Sequence, residues 1–207
     1  VQIDGIIYPQ WGIGFPQPFA EKIAVEFKNN KVVRVSGESP DAKILIDVCV
    51  FTLGYRDGEI DVAVTNGMSD ERLKNAEDPE SPLRREILQY FPKCSVDHAR
   101  RLHDMAWLPR FDEFTLDSHH TIAWNSAAIE GTPWTSAFFL RPLIRSHSNF
   151  QCVVEGDEMS FLWHIPISEA ERAYKVEHGA DALIDRLEAV ELPWIFDEAN
   201  RPSLLED

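Results

Sequence analysis

The sequence predicts an α+β fold: a single domain with a mixed β-sheet flanked by helices. Three observations predict it. Two runs rich in β-branched and apolar residues, Ala42–Thr52 and Ile60–Thr65, flank the turn residues Arg56-Asp57-Gly58 and read as a hairpin. Two more strand-like runs follow much later, at Ser136–Ile144 and Met159–Ile167. A helix signal comes next, since Ser168 and Glu171 have capping-box spacing. Strands that precede helices argue against a doubly wound fold.

Taken in order, residues 1–18 are rich in Gly, Pro and aromatics and read as loop. Phe19–Phe27 reads as a short helix, with Ile23 and Phe27 on one face. Lys31–Val35 alternates like a strand after an Asn29-Asn30 turn. The near-continuous apolarity of 42–52 suggests a strand covered on both faces. Residues 70–83 are charged, contain Pro79 and Pro82, and read as a surface loop. Arg84–Phe91 shows no clean period between helix and strand. Val96–Trp107 has Ala99, Leu102 and Ala106 at helical spacing and stops before Pro109. Phe111–Pro133 is irregular. Glu155-Gly156-Asp157-Glu158 reads as a solvated turn between strands. The helix from Ser168 is expected to break at Gly179, with a second segment through Glu191 that turns Leu183, Ile184 and Leu187 inward. Asp197–Asp207 reads as tail.

A chain of 207 residues with 44% hydrophobic residues can bury a sizeable core. Its net charge of −15 is the strongest compositional signal. Phosphate backbones and anionic membranes would repel it, so neither nucleic acid nor a membrane surface is an expected partner. A basic protein is the natural complement, because opposite fields speed encounter. The charge is uneven. From Val153 to Asp207 there are fourteen acids and four bases, so this stretch carries ten of the fifteen net negative charges. A solvated acidic helix that keeps the chain soluble is the simpler reading, and a docking face is the functional one.

Cys49, Cys94 and Cys152 are widely spaced, odd in number and without a CxxC, which fits buried thiols in a reducing compartment. No signal peptide or membrane-length apolar run is read, so the cytoplasm is the expected location. The first residue is Val1 and not Met, which leaves room for a native segment ahead of it.

Candidate chemistry is sparse. His119-His120 is the most tempting metal or catalytic feature, but adjacent histidines on an extended chain point to opposite sides. Cys94, His98 and His103 could be combined into a thiol site, yet no third residue orients the pair. No GxxxxGK[ST], GxGxxG, GxSxG or HExxH is present. No catalytic residue, metal site or cofactor is therefore expected. Asn66-Gly67-Met68-Ser69 follows a strand and can take positive φ at its Gly. It reads first as a turn and second as a partner-contact loop.

Several motifs together resemble the suppressor of fused domain in its bacterial form. They are Ile46-Asp47-Val48 with Val50-Phe51, Thr65-Asn66-Gly67-Met68-Ser69-Asp70, Leu162-Trp163-His164-Ile165-Pro166-Ile167, Glu169-Ala170-Glu171 and His178-Gly179-Ala180-Asp181-Ala182-Leu183. Asn200-Arg201-Pro202 looks like the family's closing motif. The resemblance puts the domain at 41–202, with 1–40 as an N-terminal extension or its first elements and 203–207 as a tail. It also tips Arg84–Phe91 to strand.

The resemblance implies a protein-binding module and not an enzyme, with no catalytic residues to carry over. Animal members bind a zinc-finger transcription factor by clamping a short peptide that adds a strand. This chain lacks their C-terminal half, so that role is not transferred. Bacterial members are similar to immunity proteins that accompany secreted toxins, which makes a basic toxin the expected partner. The residues expected to meet it are Gly67, Met68, Ser69, Trp124, Trp134, Glu188 and Glu191. The competing expectation is a hydrolase-type enzyme built on His119, His120 and nearby acids.

Overall fold

All eight residues of Arg84–Phe91 are buried, which is why no amphipathic period shows there. They form the central strand, β6, of the fold. The computed structural model describes residues 5–7, 23–28, 31–37, 48–55, 58–70, 72–73, 84–110, 115–124, 126–127, 129–142, 151–154, 156–191, 195–198 and 200–205.

Gly5–Ile7 (β1), Ala24–Lys28 (β2) and Lys31–Ser36 (β3) make an antiparallel three-stranded sheet in the order β1-β2-β3. Residues 24–28 are strand and not part of the helix expected at Phe19–Phe27. Ala24, Val25 and Glu26 pair with Ser36, Val35 and Arg34 of β3, and after a bulge the strand goes on to pair Lys28 with Lys31. Residues 19–22 lie outside the described ones.

The main sheet holds Val48–Tyr55 (β4), Gly58–Thr65 (β5), β6, Thr121–Ala123 (β7), Ser136–Leu140 (β8), Gln151–Val154 (β9) and Asp157–Ile167 (β10). Its order is β4-β5-β6-β10-β8-β7, with β9 also paired to β10. β6 and β10 run parallel and the other pairs are antiparallel, so the sheet is mixed, as expected. The four expected strands all lie in it. β7 falls in the stretch read as irregular and was not expected.

Helices cover both faces. Val96–Trp107 (α1) starts at Ser95, whose Oγ accepts from the His98 N–H at 3.3 Å, while the His98 Nδ1 accepts from the Ser95 N–H at 3.0 Å. Its Ala99, Leu102 and Met105 pack with Ile87, Phe91, Ala137, Phe139 and Leu162 from one face of the sheet. The other face presents Leu88, Tyr90, Phe138, Trp163 and Ile165 to Glu169–His178 (α2) and Ala180–Ala189 (α3). Gly179, at φ 94°, separates these two helices as expected, and α3 ends two residues short of Glu191. Leu183 is fully buried and Leu187 nearly so, whereas Ile184 is half-buried. Leu183→Ala should therefore cost about 2–5 kcal/mol, read as a lower urea midpoint at unchanged slope.

The expected capping box at the start of α2 is present. The Ser168 N–H donates to Glu171 Oε2 at 2.8 Å, and the Glu171 N–H to Ser168 Oγ at 3.2 Å. Glu171 is fully buried, so this carboxylate needs more partners than its own helix offers. They come from the stretch read as tail, which is corrected accordingly. Arg201 donates from Nη1 and Nη2 at 3.1 and 3.2 Å, and the Leu204 N–H donates at 3.0 Å. The Arg201 guanidinium lies 4.1 Å from the ring centroid of Trp134, and Leu204 is buried.

His164 on β10 is buried beside Gln89, to whose Oε1 its Nδ1–H donates. Burial first, then the nearby Arg101 and His98, push its pKa down from 6.5 to about 3. Unfolded His164 takes up its proton below about pH 6.5, and folded His164 only near pH 3. The unfolded chain holds more protons between those values, so this contribution is complete above 6.5 and is lost as pH falls toward 3. Denaturation at a series of pH values should show a slope in that window for the unaltered protein. In His164→Gln it should be shallower, by up to about 1.4 kcal/mol per pH unit. Equal slopes would disprove it.

Candidate functional site

A cleft of about 590 Å³ lies between α3 and the sheet. Leu140 from the end of β8 with Trp163 and Ile165 from β10 forms its floor, and Ile184 and Leu187 from α3 form one wall. Alternate residues of a strand share a face, so Trp163 and Ile165 point to the same side. The rim is polar. Glu188 and Glu191 stand at the C-terminal end of α3, with Asp117, Ser118 and His119 from the turn before β7 and Arg141 just after β8. An apolar floor with a few polar groups at the mouth is the usual form of a binding site, and the volume is in the usual range.

The backbone shapes both ends of the rim. The His120 N–H donates to the Asp117 carbonyl at 3.2 Å and closes a four-residue turn, and the His119 N–H ties it to the Phe139 carbonyl at 2.7 Å. Asp117 is committed to Arg85, 3.2 Å away. At the other end, the Glu191 N–H donates to the Glu188 carbonyl at 2.9 Å, which brings both carboxylates to the end of α3. Both side chains are exposed.

The residues expected to meet a partner fall into three groups that the fold keeps apart. Glu188 and Glu191 are in the cleft. Trp124 and Trp134 belong to the opposite face of the sheet, where they line a cavity of only about 20 Å³ with Gln89, His98, His164 and Glu198. Trp134 is buried under Arg201, and Trp124 is half-buried with Arg101 4.7 Å from its ring centroid.

Gly67, Met68 and Ser69 form the third group. Met68 and Ser69 are buried, and the loop wraps a buried carboxylate of the protein itself. Glu86 Oε1 accepts from the Gly67 N–H (3.1 Å), the Ser69 N–H (2.9 Å) and the Ser69 hydroxyl (2.7 Å), and Oε2 accepts from the Thr65 hydroxyl at 2.5 Å. Gly67 at φ 104° lets successive N–H groups converge on that oxygen. Arg84, from the same strand, donates to the carbonyls of Ser69 and Asp70 at 2.6 and 3.0 Å. The motif is thus held from both sides by β6.

The histidines separate. His119 is exposed and lines the cleft, while the His120 Nδ1 turns back to within 2.9 Å of the Thr115 carbonyl. The Cys94 thiol is pushed up to about 12 by burial, then by Asp61, so it is protonated at neutral pH. His98 faces Glu198 and stacks on Phe91, with ring centroids 4.2 Å apart. Among the described residues no group of three His, Cys, Asp or Glu side chains could hold a metal ion. No helix among them is long and apolar enough to cross a membrane.

Residues 43–201 match the family model of the suppressor of fused protein (SUFU). No curated protein is similar enough in sequence to count as a match. Three solved structures share the fold. A protein described as a SUFU homologue from Neisseria gonorrhoeae FA 1090 superposes with a TM-score of 0.57 at 17% identity, over 77% of this chain and 79% of that one. A chain of the Sufu–Fu complex gives 0.57 at 9% identity, over 76% of each. Drosophila Suppressor of Fused gives 0.58 at 10% identity, over 76% of this chain and 42% of that one.

Proposed function

Because the chain belongs to the suppressor of fused protein family, we propose that it acts by binding another protein, and that the cleft beside α3 is where it binds. The single observation that carries this reading is the cleft's make-up, an apolar floor large enough for partner side chains under a rim that carries the exposed acids Glu188 and Glu191. The net charge of −15 selects a basic partner. A basic toxin, neutralised by being covered, is the partner that fits this charge and the bacterial form of the family. Another family member is seen in complex with a protein, as the Sufu–Fu structure records. The reading assigns no catalytic role.

The direct test is co-expression with a toxin encoded beside this gene, followed by binding kinetics with the purified pair. Growth should be rescued. Raising salt should slow association far more than it speeds dissociation, because long-range attraction acts on the encounter. Glu188→Gln with Glu191→Gln should lower the association rate about 2–5-fold. A partner that instead adds a strand to β4, at the sheet edge among the described residues, would ignore these changes and fail on a proline placed in β4. Binding indifferent to salt, or no rescue, would end the reading.

A further inference from the structure

We infer that His119 and Glu191 are held in left-handed backbone conformations for the sake of what binds the cleft, and that they select a cationic side chain with an apolar stem. The inference rests on the protein-binding reading above. Among the described residues only two that are not glycine have positive φ, His119 at 69° and Glu191 at 47°. Both line this one cleft, although they come from a turn and a helix end far apart in the chain.

Each occupies a place where glycine is the ordinary choice. His119 is the third residue of the Asp117–His120 turn, and a positive φ there defines the turn type that favours glycine. Glu191 follows Val190, the C-cap of α3, at the position through which helices usually leave by glycine. This chain does use glycine at the end of α2, where Gly179 sits at φ 94°. A side chain with a Cβ is disfavoured in this region.

Among the described residues no polar partner of these side chains recovers that cost. The turn is held by backbone groups that glycine would keep, namely the His119 N–H on the Phe139 carbonyl and the His120 N–H on the Asp117 carbonyl. Among the described residues neither the His119 imidazole nor the Glu191 carboxylate has a hydrogen bond or ion pair within the protein. Strain kept where the surrounding structure gains nothing is a mark of a ligand contact.

The chemistry names the ligand. The carboxylates of Glu188 and Glu191 attract an ammonium or guanidinium, and the His119 imidazole can accept a hydrogen bond from it. The apolar stem of a lysine or arginine would lie along Ile184, the half-buried apolar residue of the lining.

The test uses His119→Gly, Glu191→Gly and, as a plug for the floor, Ile184→Trp. The probe is a short peptide of alternating leucine and lysine, titrated at physiological ionic strength so that diffuse attraction is screened. Each glycine variant should melt about 2–4 °C higher than the unaltered protein, because strain is relieved. Each should also bind the peptide about 3–10-fold more weakly. Ile184→Trp should abolish binding, with a cooperative melt that shows the domain still folded.

A melting temperature that falls, or an affinity that holds, in the glycine variants overturns the inference. If Ile184→Trp blocks the peptide while the glycine variants bind it normally, only this inference falls. If Ile184→Trp leaves binding intact, the cleft is not the binding surface and the broader reading falls with it.

Discussion

Arg201→Leu is expected to destabilise the protein by about 3–5 kcal/mol. Glu171 is fully buried, and Arg201 supplies the opposite charge through two N–H groups. Removing one partner of a buried pair leaves the Glu171 charge with only the Ser168 and Leu204 N–H groups to offset it. The variant also loses the guanidinium over Trp134. Chemical denaturation measures the cost, and a domain of this size should melt about 2–4 °C lower for each kcal/mol lost. The double variant Glu171→Leu with Arg201→Leu should recover part of the loss. Recovery is incomplete because the Ser168 and Leu204 N–H groups would lose their acceptor. A loss below about 1 kcal/mol for Arg201→Leu would mean that Glu171 is not held as described.

Glu86→Ala should cost no less than about 3 kcal/mol. One carboxylate accepts four hydrogen bonds from Thr65, Gly67 and Ser69, two of them from backbone N–H groups. Its removal orphans those donors and frees the loop over 66–70. Amide hydrogen exchange should speed up at Gly67 and Ser69, two residues that would otherwise be protected. Glu86→Gln is the informative control. It keeps an oxygen for the Gly67 and Ser69 donors but turns an amide N–H₂ toward the Thr65 hydroxyl, so its cost should be about half. Unchanged exchange at 67 and 69 in the alanine variant would refute the account.

Much of this architecture was legible because local chemistry is strong where it was read. The capping box at Ser168 and Glu171, the break at Gly179 and the hairpin of β4 and β5 each follow from residues within a few positions of one another. The residues that failed to read are those whose role depends on distant partners. Arg84–Phe91 has no period because both its faces are covered. Phe19–Phe27 looked helical because Ile23 and Phe27 are four apart, whereas pairing with β3 decides for a strand over 24–28. Asp197–Asp207 reads as tail because nothing local shows that Glu171 requires Arg201 and Leu204.

The cleft was least legible. Its floor and rim come from the turn before β7, the ends of β8 and β10, and α3, and no spacing in the sequence joins them. Glu188 and Glu191 were found through their charge. His119 reads as a structural or surface residue because adjacent histidines on an extended chain point to opposite sides, and its backbone conformation is not visible in a sequence. Met68, Ser69 and Trp134 were read as contacts from composition and motif, and they are buried instead.

The parallel pairing of β6 with β10 has a kinetic consequence. Among the described residues it is a seam that joins two otherwise antiparallel groups, β4-β5-β6 on one side and β7, β8, β9 and β10 on the other. Each group can form from neighbours in sequence, but the seam joins residues such as Arg85 and Ser160 that are 75 positions apart. Closing such a loop costs chain entropy before any pairing is gained, on the order of 4 kcal/mol. Refolding should therefore be limited by the meeting of two half-built sheets. Substitutions buried in the seam, such as Leu162→Ala, should slow folding, while those in the β4–β5 hairpin should mainly hasten unfolding.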